Sequence, residues 1–364
     1  MIVIYPGDAT WEVRPMSALP VDPPPVDPPP VDPPPDPGAP LVWSRLDVGN
    51  TGVYGAYFRR PCVDRTTGDV WAAWGANGSV NNRGSTMFRQ SSKAWALTST
   101  TPGAEWDIGA RENYGSSYDA DRHCVWIGNG APVSYGFPPA PPPHLQYGDL
   151  KFDISTNRYT LEYPVPDSMG KGDAPFLYWQ GHLYMFGGWS NNQMQRMNIA
   201  TGVKTNYSGT APQFTRQSSY GSYQEEGSRL TYSRAGITPT GVIWALANSN
   251  EYWTWDCNTL GPWVKPATTG TVPPIITVVA ALHEARNLIV AWAGNAGMTT
   301  GPLLGATWYL DLATLAWSEG PSLAAGDPTP LCKGSAGSNL LYDPVGTQCL
   351  LVVEADAAQV WSLK

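Results

Sequence analysis

The sequence is poor in charged residues and has no run of basic side chains. Charged residues make up 14% of the 364 positions, whereas about a quarter is usual in globular domains. The net charge is −8, and the basic footprint of a nucleic-acid-binding protein is absent. No stretch approaches the roughly 20 apolar residues of a membrane span. We therefore expect no nucleic-acid partner and no membrane span.

Cysteine and histidine are scarce and show no paired spacing. The five cysteines are odd in number and contain no CxxC pair, which favours buried free thiols over a disulfide framework. They are Cys62, Cys124, Cys257, Cys332 and Cys349. The four histidines show neither HxH nor HExxH spacing, so we expect no zinc site. They are His123, His144, His182 and His283. We predict no metal, no cofactor and no catalytic residue.

The first residues lack the features of a secretory signal. Residues 1–8 contain no basic region and no long apolar stretch. Together with the odd number of cysteines, this predicts synthesis in a reducing host cytoplasm.

Glycine, proline and aromatic residues are abundant. The chain holds 38 Gly, 36 Pro, 17 Trp and 18 Tyr. Turn formers and aromatics at this density are typical of many short strands joined by turns. The expected fold class is therefore all-β.

One motif recurs along the chain. It consists of a strand that ends in a polar residue, a short turn with Ser, Thr or Ala, and then usually an aromatic. Its five copies span residues 88–95, 152–159, 197–207, 255–263 and 310–317. A second apolar strand recurs once in every unit, centred on Trp71, Trp126, Tyr184, Ile243, Ile289 and Leu350. A period near fifty residues with four strands per unit predicts propeller blades.

The sixth unit is incomplete at the C-terminus. Residues 359–363 supply its third strand, and no fourth strand follows. Residues 42–47 resemble the missing strand. We therefore predict a six-bladed β-propeller over residues 41–364, closed by an N-terminal strand that completes the last blade. Trp43 and Trp361 should then lie in one sheet, and the closure removes an exposed sheet edge.

The repeats resemble those of kelch-type β-propellers. The family's double glycine is present at Gly187-Gly188, and the aromatic of the fourth strand is present at Trp95, Tyr159, Trp263 and Trp317. The resemblance implies the ring fold but no particular chemistry, because propellers host unrelated functions. Galactose oxidase shares this ring, and its copper-binding set of two His, a Tyr and a Tyr–Cys pair has no counterpart that we can place here.

Two further segments precede the ring. Residues 1–19 contain two short strand-like pieces that are too small to fold alone. We expect them to form an anchor that binds through Ile2, Ile4, Tyr5, Trp11 and Val13. Residues 20–40 repeat Val-Asp-Pro-Pro-Pro three times, which predicts a polyproline II stalk of roughly 65 Å at about 3.1 Å per residue.

The connections between strands predict two unlike faces of the ring. With the strands of a blade lettered A to D from the axis outward, the A–B and C–D turns are short and share one face. The longer B–C and D–A loops share the other face, and binding residues often lie on such loops. The candidate binding residues there are Asn77, Asn82, Arg83, Tyr135, His144, Tyr147, Trp189, Asn191, Asn192, Tyr220 and Tyr223. The stalk should join the short-turn face.

An anchor, a stalk and a loop-bearing ring suggest a bacteriophage virion component. We expect a non-enzymatic head fibre, decoration or tail-associated protein, present in multiple copies. Capsid or other virion proteins would bind residues 1–40, and a host surface protein or glycan would bind the ring.

Two alternatives remain open. The first is a carbohydrate-active enzyme, although the sialidase Asp-box is only begun at Ser117-Tyr118-Asp119. Its carboxylate pair would come from Glu105, Asp107, Glu112, Asp173, Glu225, Glu226 and Glu251. The second alternative is an intracellular kelch-like adaptor that binds another protein.

Overall fold

The computed structural model describes most of the ring and a short N-terminal hairpin. The described residues are 2–6, 11–15, 39–46, 61–72, 86–97, 111–112, 115–128, 131–132, 148–156, 158–164, 174–187, 194–207, 212, 234–247, 250–273, 278–295, 303–323, 338–354 and 358–364. The chain forms two compact units, Met1–Pro35 and Asp36–Lys364. Among the described residues, no helix is long and apolar enough to cross a bilayer.

The first unit contains an antiparallel β-hairpin. Its strands are β1 (Ile2–Pro6) and β2 (Trp11–Pro15), with Ile4 opposite Val13. The five predicted anchor residues all lie in these two strands. Their role in anchoring stays a prediction. Most of the predicted stalk lies outside the described residues.

The second unit is built from short strands. In chain order they begin with β3 (Trp43–Arg45), β4 (Pro61–Val63), β5 (Val70–Ala72), β6 (Thr86–Arg89), β7 (Ala94–Leu97), β8 (Arg111–Glu112), β9 (Ser116–Asp119), β10 (Cys124–Ile127), β11 (Ala131–Pro132), β12 (Gly148–Asp153), β13 (Arg158–Pro164), β14 (Phe176–Trp179), β15 (His182–Met185), β16 (Met194–Asn198) and β17 (Lys204–Tyr207). They continue with β18 (Ala235–Ile237), β19 (Val242–Leu246), β20 (Tyr252–Asp256), β21 (Thr269–Gly270), β22 (Val278–His283), β23 (Leu288–Asn295), β24 (Leu303–Asp311), β25 (Ala316–Glu319), β26 (Ser338–Asp343), β27 (Gln348–Glu354) and β28 (Ala358–Leu363). A 3-10 helix spans Glu284–Arg286.

These strands form six small sheets in a ring, so the prediction of a six-bladed β-propeller is confirmed. Blade 1 is β4 to β7; blade 2 is β9, β10, β12 and β13; blade 3 is β14 to β17. Blade 4 is β18 to β20, blade 5 is β22 to β25, and blade 6 is β26 to β28 with β3. Neighbouring strands within each blade run antiparallel, from strand A at the axis to strand D at the rim. The six predicted repeat centres all lie in B strands.

Blades 4 and 5 depart from the four-stranded pattern. In blade 4 the expected D strand near Trp263 is reduced to an isolated bridge between Thr254 and Val264. Pro262 and Pro266 flank this bridge, and proline has no N–H to donate to a ladder. Blade 5 gains a fifth strand, because β21 pairs in parallel with its outermost strand β25.

The ring is closed by pairing of its two ends. Strand β3 runs antiparallel to β28, with Trp43 opposite Leu363 and Arg45 opposite Trp361. Backbone hydrogen bonds extend the ladder. The amide of Val42 donates to the carbonyl of Lys364 at 2.9 Å, and the amide of Leu46 donates to the carbonyl of Val360 at 2.9 Å. The predicted closure, with Trp43 and Trp361 in one sheet, is therefore confirmed.

The core consists of apolar clusters between adjacent blades. Six such clusters occur among the described residues, one at each interface around the ring. Strand B contributes to two interfaces at once, because alternate side chains point to opposite faces of a sheet. Trp71 packs towards blade 2, whereas its neighbour Val70 packs towards blade 6. This double burial explains why the B strands are continuous apolar runs.

Carboxylate and amide side chains at strand ends shape the short turns. The Oδ1 atom of Asp311 accepts hydrogen bonds from the backbone amides of Ala313 and Thr314, at 2.7 and 3.3 Å. Equivalent bonds occur at Asp64, Asp119, Asn198 and Asp343. Such bonds are typical of Asx turns. The recurring polar residue of the sequence motif is therefore a turn-forming residue.

The same turns place one residue in the left-handed backbone region. It lies four positions after the last residue of the strand that precedes the turn, or after the equivalent position, and has a positive φ in both A–B and C–D turns. Its occurrences are Gly68, Lys93, His123, Gly202, Leu260, Leu315 and Thr347, with φ between 49° and 77°.

Contacts of described residues indicate which connections share a face of the ring. Strand β8 belongs to the D–A connection before blade 2, and β11 belongs to the B–C connection of the same blade. These two strands pair with each other, so both connections lie on one face. On the opposite face, Arg286 in the A–B turn of blade 5 donates from Nη1 to the carbonyl of Ala39 at 2.7 Å. Ala39 thus lies on the short-turn face.

Removing the closing strand should destabilise the ring. We expect deletion of residues 1–46 to lower the free energy of unfolding by about 3 kcal/mol or more. Burial of a side chain such as Leu41 contributes roughly 2 kcal/mol, and each ladder hydrogen bond contributes about 1 kcal/mol. Deletion of residues 1–35 is the matched control and should leave the stability of the ring unchanged. Denaturant unfolding of both variants tests this, and equal midpoints would contradict the proposed role of β3.

Acid should weaken the C–D turns. Hydrogen bonds from the Ser155 hydroxyl and the Thr156 amide lower the pKa of Asp153, and the Asn258 amide does the same for Asp256. A carboxyl group whose folded pKa is lowered stabilises the fold above its unfolded pKa, near 4, and this contribution is lost as the pH falls through the folded pKa.

The double variant Asp153→Asn/Asp256→Asn keeps the acceptor oxygen but not the charge, as Asn198 does naturally. It should lose less stability than the native chain between pH 5 and pH 2, as read from urea unfolding at each pH. Identical losses in the two proteins would show that these carboxylates do not couple to folding.

Candidate functional site

A cavity of about 530 Å³ follows the axis of the ring. Side chains from the innermost strands of all six blades line it, including Cys62, Tyr118, Phe176, Ile237, Ala280 and Leu341. Its volume lies within the range of roughly 300–1,000 Å³ that is usual for small-molecule sites. It is the candidate functional site, because charged and aromatic side chains gather at one end of it.

Two glycines that line the cavity are packed closely against aromatic residues. A Cβ atom on Gly236 would lie 2.8 Å from the indole of Trp244, and one on Gly115 would lie 2.5 Å from the Cβ of Phe176. Both distances are too short for a side chain to fit without displacement. Glycine therefore allows the backbone to approach the neighbouring aromatic at these two positions.

The cavity opens to solvent on the face of the A–B turns. Arg65, Asp121, Gln180 and Pro239 line this end and are exposed. Deeper lining residues such as Phe176 and Leu340 are buried. The mouth is therefore polar and the interior largely apolar. The face with the mouth is also the face on which Ala39 lies.

An ion pair crosses the mouth. Arg65 on blade 1 donates from Nη1 and Nη2 to the two carboxylate oxygens of Glu284 on blade 5, at 2.7 Å each. Blades 1 and 5 are not neighbours, because blade 6 lies between them. The hydrogen bond to Glu284 raises the pKa of Arg65, so the guanidinium stays charged. Tyr342 of blade 6 accepts a hydrogen bond from the amide of Ala285 beside it, at 3.3 Å.

A second polar cluster joins blades 2 and 3 at the mouth. The hydroxyl of Tyr178 donates to Asp121 and accepts from the amide of Gly181 at 3.1 Å. Arg122 bonds the fully buried carboxylate of Asp119 at 3.0 Å. Asp119 also accepts a bond of 2.9 Å from the indole of Trp126. These bonds hold the polar groups of the mouth in fixed positions.

A third cluster links blades 1 and 2. The hydroxyl of Tyr118 lies 3.0 Å from Nδ1 of His123 and 3.2 Å from the hydroxyl of Thr66. His123 Nε2 lies 3.9 Å from the carboxylate of Asp64. This cluster contains a histidine, a carboxylate and two hydroxyls, and the hydroxyl that contacts the histidine belongs to a tyrosine.

Burial suppresses ionisation around the cavity. It raises the pKa of Tyr118 to about 12 and also raises the pKa of Tyr178 and Tyr342. All three phenols are therefore neutral at physiological pH. Burial likewise raises the pKa of Cys62, so this thiol is not a ready nucleophile. His283 lies behind Tyr342, with ring centroids 5.1 Å apart, and burial lowers its pKa to about 4.

Most of the side chains that line the cavity are uncharged. Within the described ranges, no group of three or more His, Cys, Asp or Glu side chains has a geometry that would hold a metal ion. The residues therefore do not fit a three-ligand metal site in this part of the chain. The cavity presents neutral phenols, amides, aromatic faces and two carboxylates.

The candidate binding residues predicted from the sequence lie outside the described residues. This applies to all eleven, namely Asn77, Asn82, Arg83, Tyr135, His144, Tyr147, Trp189, Asn191, Asn192, Tyr220 and Tyr223. Their role therefore stays a prediction. Of the carboxylates considered for an enzyme, Glu112 lies in β8 and Glu251 pairs with Lys265 at 2.6 Å on blade 4. Asp121 and Glu284, which line the cavity, were not among them.

Sequence reasoning missed the axial cavity, although one signal was present. Tyr118, Tyr178 and Tyr342 each occupy the next-to-last position of an A strand. In an antiparallel blade this position lies next to the A–B turn. A tyrosine recurring there in three blades indicates aromatic side chains gathered around one end of the axis.

Comparisons with known proteins support the fold and nothing finer. No protein-family model and no curated protein matches the sequence. Among solved structures, the chain is similar to a novel fungal alcohol oxidase of the AA5 family in complex with copper, at a TM-score of 0.51 and 13% identity. The match covers 83% of this chain and 61% of that chain. At this identity the likeness shows the propeller fold alone.

The Arg65–Glu284 pair should stabilise the ring by a measurable coupling energy. We expect about 1 kcal/mol, because the bonds are bidentate and Glu284 is largely buried. A double-mutant cycle of Arg65→Gln and Glu284→Gln, read by denaturant unfolding, measures it, and high salt should reduce it.

The Lys265–Glu251 pair provides the control. Its side chains are 49% and 40% exposed, so its coupling should be close to zero. A coupling at Arg65–Glu284 no larger than at this control would contradict a bridging role.

Proposed function

We propose that the chain is a non-enzymatic display protein of a bacteriophage virion, such as a head fibre, decoration or tail-associated protein. In this proposal virion proteins bind residues 1–40, and the propeller presents a surface for adhesion to a host protein or glycan. The ring would be of the kelch type, and several copies would be present per particle.

The observation that carries the proposal is the face of the ring on which the closing strand β3 begins. Strand β3 begins at the face of the A–B turns, and the bond from Arg286 to Ala39 holds Ala39 on that face. The pairing of β8 with β11 places the longer connections of blade 2 on the other face. A tether on one face leaves the opposite face available for contact with a host surface.

The rigidity of the ring supports a display role. Six interblade clusters and hydrogen-bonded turns give a stable scaffold, on which loops are well suited to binding. Multiple copies would convert weak contacts into avidity. Two features support the kelch assignment. Gly187, the first residue of the double glycine, has a φ of 71°, and Trp95 and Trp317 are aromatic residues of fourth strands.

Deletion of the hairpin tests the proposal. Phage particles would be assembled with the native chain, with a variant lacking residues 1–19, and with a control lacking residues 21–30. The control removes two of the three Val-Asp-Pro-Pro-Pro repeats and leaves the hairpin intact. Quantitative mass spectrometry of purified particles should find the native chain and the control, and at least tenfold less of the hairpin deletion. Normal incorporation of that deletion would refute anchoring by the N-terminus.

A carbohydrate-active enzyme is the second candidate. The observation that favours it is the pair of carboxylates Asp121 and Glu284, which line the cavity from blades 2 and 5, opposite each other in the ring. Hydrolysis of host polysaccharide that is abolished by Asp121→Asn or Glu284→Gln would support this candidate. Binding without turnover would favour the display protein.

A further inference from the structure

We propose that the A–B end of the axial cavity binds a neutral saccharide. This site is separate from the long-loop face and does not depend on the chain being a virion protein. It is formed by the polar mouth, where Arg65, Asp121 and Glu284 lie, and by the aromatic side chains beside them.

Aromatic side chains surround the mouth on several sides. Tyr118, Tyr178, Trp179 and Tyr342 line the cavity from blades 2, 3 and 6. Flat rings offer a large contact area at a low cost in conformational entropy. The C–H faces of a pyranose ring pack well against such surfaces. An apolar wall with a polar rim therefore matches a molecule that has both C–H faces and hydroxyl edges.

The polar groups of the rim are held in place before a ligand arrives. Asp121 is bound by Tyr178, and Glu284 is bound by both terminal nitrogens of Arg65. An ionised carboxylate has about four acceptor positions, so each can accept further hydrogen bonds from ligand hydroxyls. Preorganised groups lose little entropy on binding.

The charge at the mouth disfavours an anionic ligand. One guanidinium, Arg65, stands against two carboxylates, Asp121 and Glu284, so the formal charges of the lining residues sum to −1. Because Arg65 is already paired with Glu284, an anionic ligand would meet the charge of Asp121. A neutral polyhydroxylated molecule avoids this repulsion and can donate its hydroxyls to the carboxylates.

Binding of the full chain to neutral sugars tests the proposal. An array of neutral oligosaccharides and their sialylated counterparts identifies binders, and saturation-transfer NMR with calorimetry on the free sugars measures affinity. We expect at least one neutral sugar to bind, and its sialylated form to bind at least tenfold more weakly. Absence of binding to every neutral sugar by natively folded protein would overturn the proposal.

Variants locate the site. Asp121→Ala should weaken binding of the neutral sugar at least tenfold, and Asp121→Asn, which keeps an acceptor oxygen, should weaken it less. The control is Glu251→Ala, which removes a partly exposed carboxylate on blade 4 outside the cavity and should leave affinity unchanged. Thermal melting verifies that each variant is folded.

The outcomes separate this proposal from the display function. Undiminished sugar binding in the folded Asp121→Ala variant would overturn the axial site and place binding elsewhere, while leaving the virion role intact. Sugar binding lost in Asp121→Ala, together with normal particle incorporation of the chain lacking residues 1–19, would support the axial site and refute the anchor.

Discussion

The pairing of strand β3 with strand β28 is the constraint on which the rest of the ring depends. Each blade buries both faces, so the six interblade clusters need a closed circle. Blade 6 is the point of closure, because its strands come from the two ends of the second unit. Without β3, the cluster between blades 5 and 6 would lose Leu41 and the contact of Trp43, whose indole donates to Thr307 of blade 5 at 2.9 Å.

The closure also determines at which face of the ring the closing strand begins. Because the closing strand is the outermost strand of blade 6 and runs antiparallel to β28, it must begin at the face of the A–B turns. The bond from Arg286 to Ala39 and the ion pair between Arg65 and Glu284 both lie on that face. A single turn, residues 284–286, thus contacts the incoming chain and the mouth of the cavity.

Much of the fold could be predicted from the sequence, because its repeats are local. Both repeated features are set by neighbours along the chain. One is the alternation of side chains in the B strands, as at Val70 and Trp71, and the other is the turn-forming residue, such as Asp311. The reduced D strand of blade 4 was not predicted, although Pro262 and Pro266 indicate it. The cavity was not predicted, because it requires side chains from six separate blades to converge on one axis. The A strands that form it share no common motif, and only three of the six carry a tyrosine near their ends.

Native-state amide hydrogen exchange tests the central claim most directly. The amide of Leu46 donates to Val360, and the amide of Lys364 donates to Val42 at 3.2 Å. If the closure is part of the cooperative core, both amides should exchange with nearly the same opening free energy as Leu350 in the centre of blade 6. Exchange of Leu46 and Lys364 at rates typical of unstructured peptide, while Leu350 stays protected, would contradict a ring closed by its two ends.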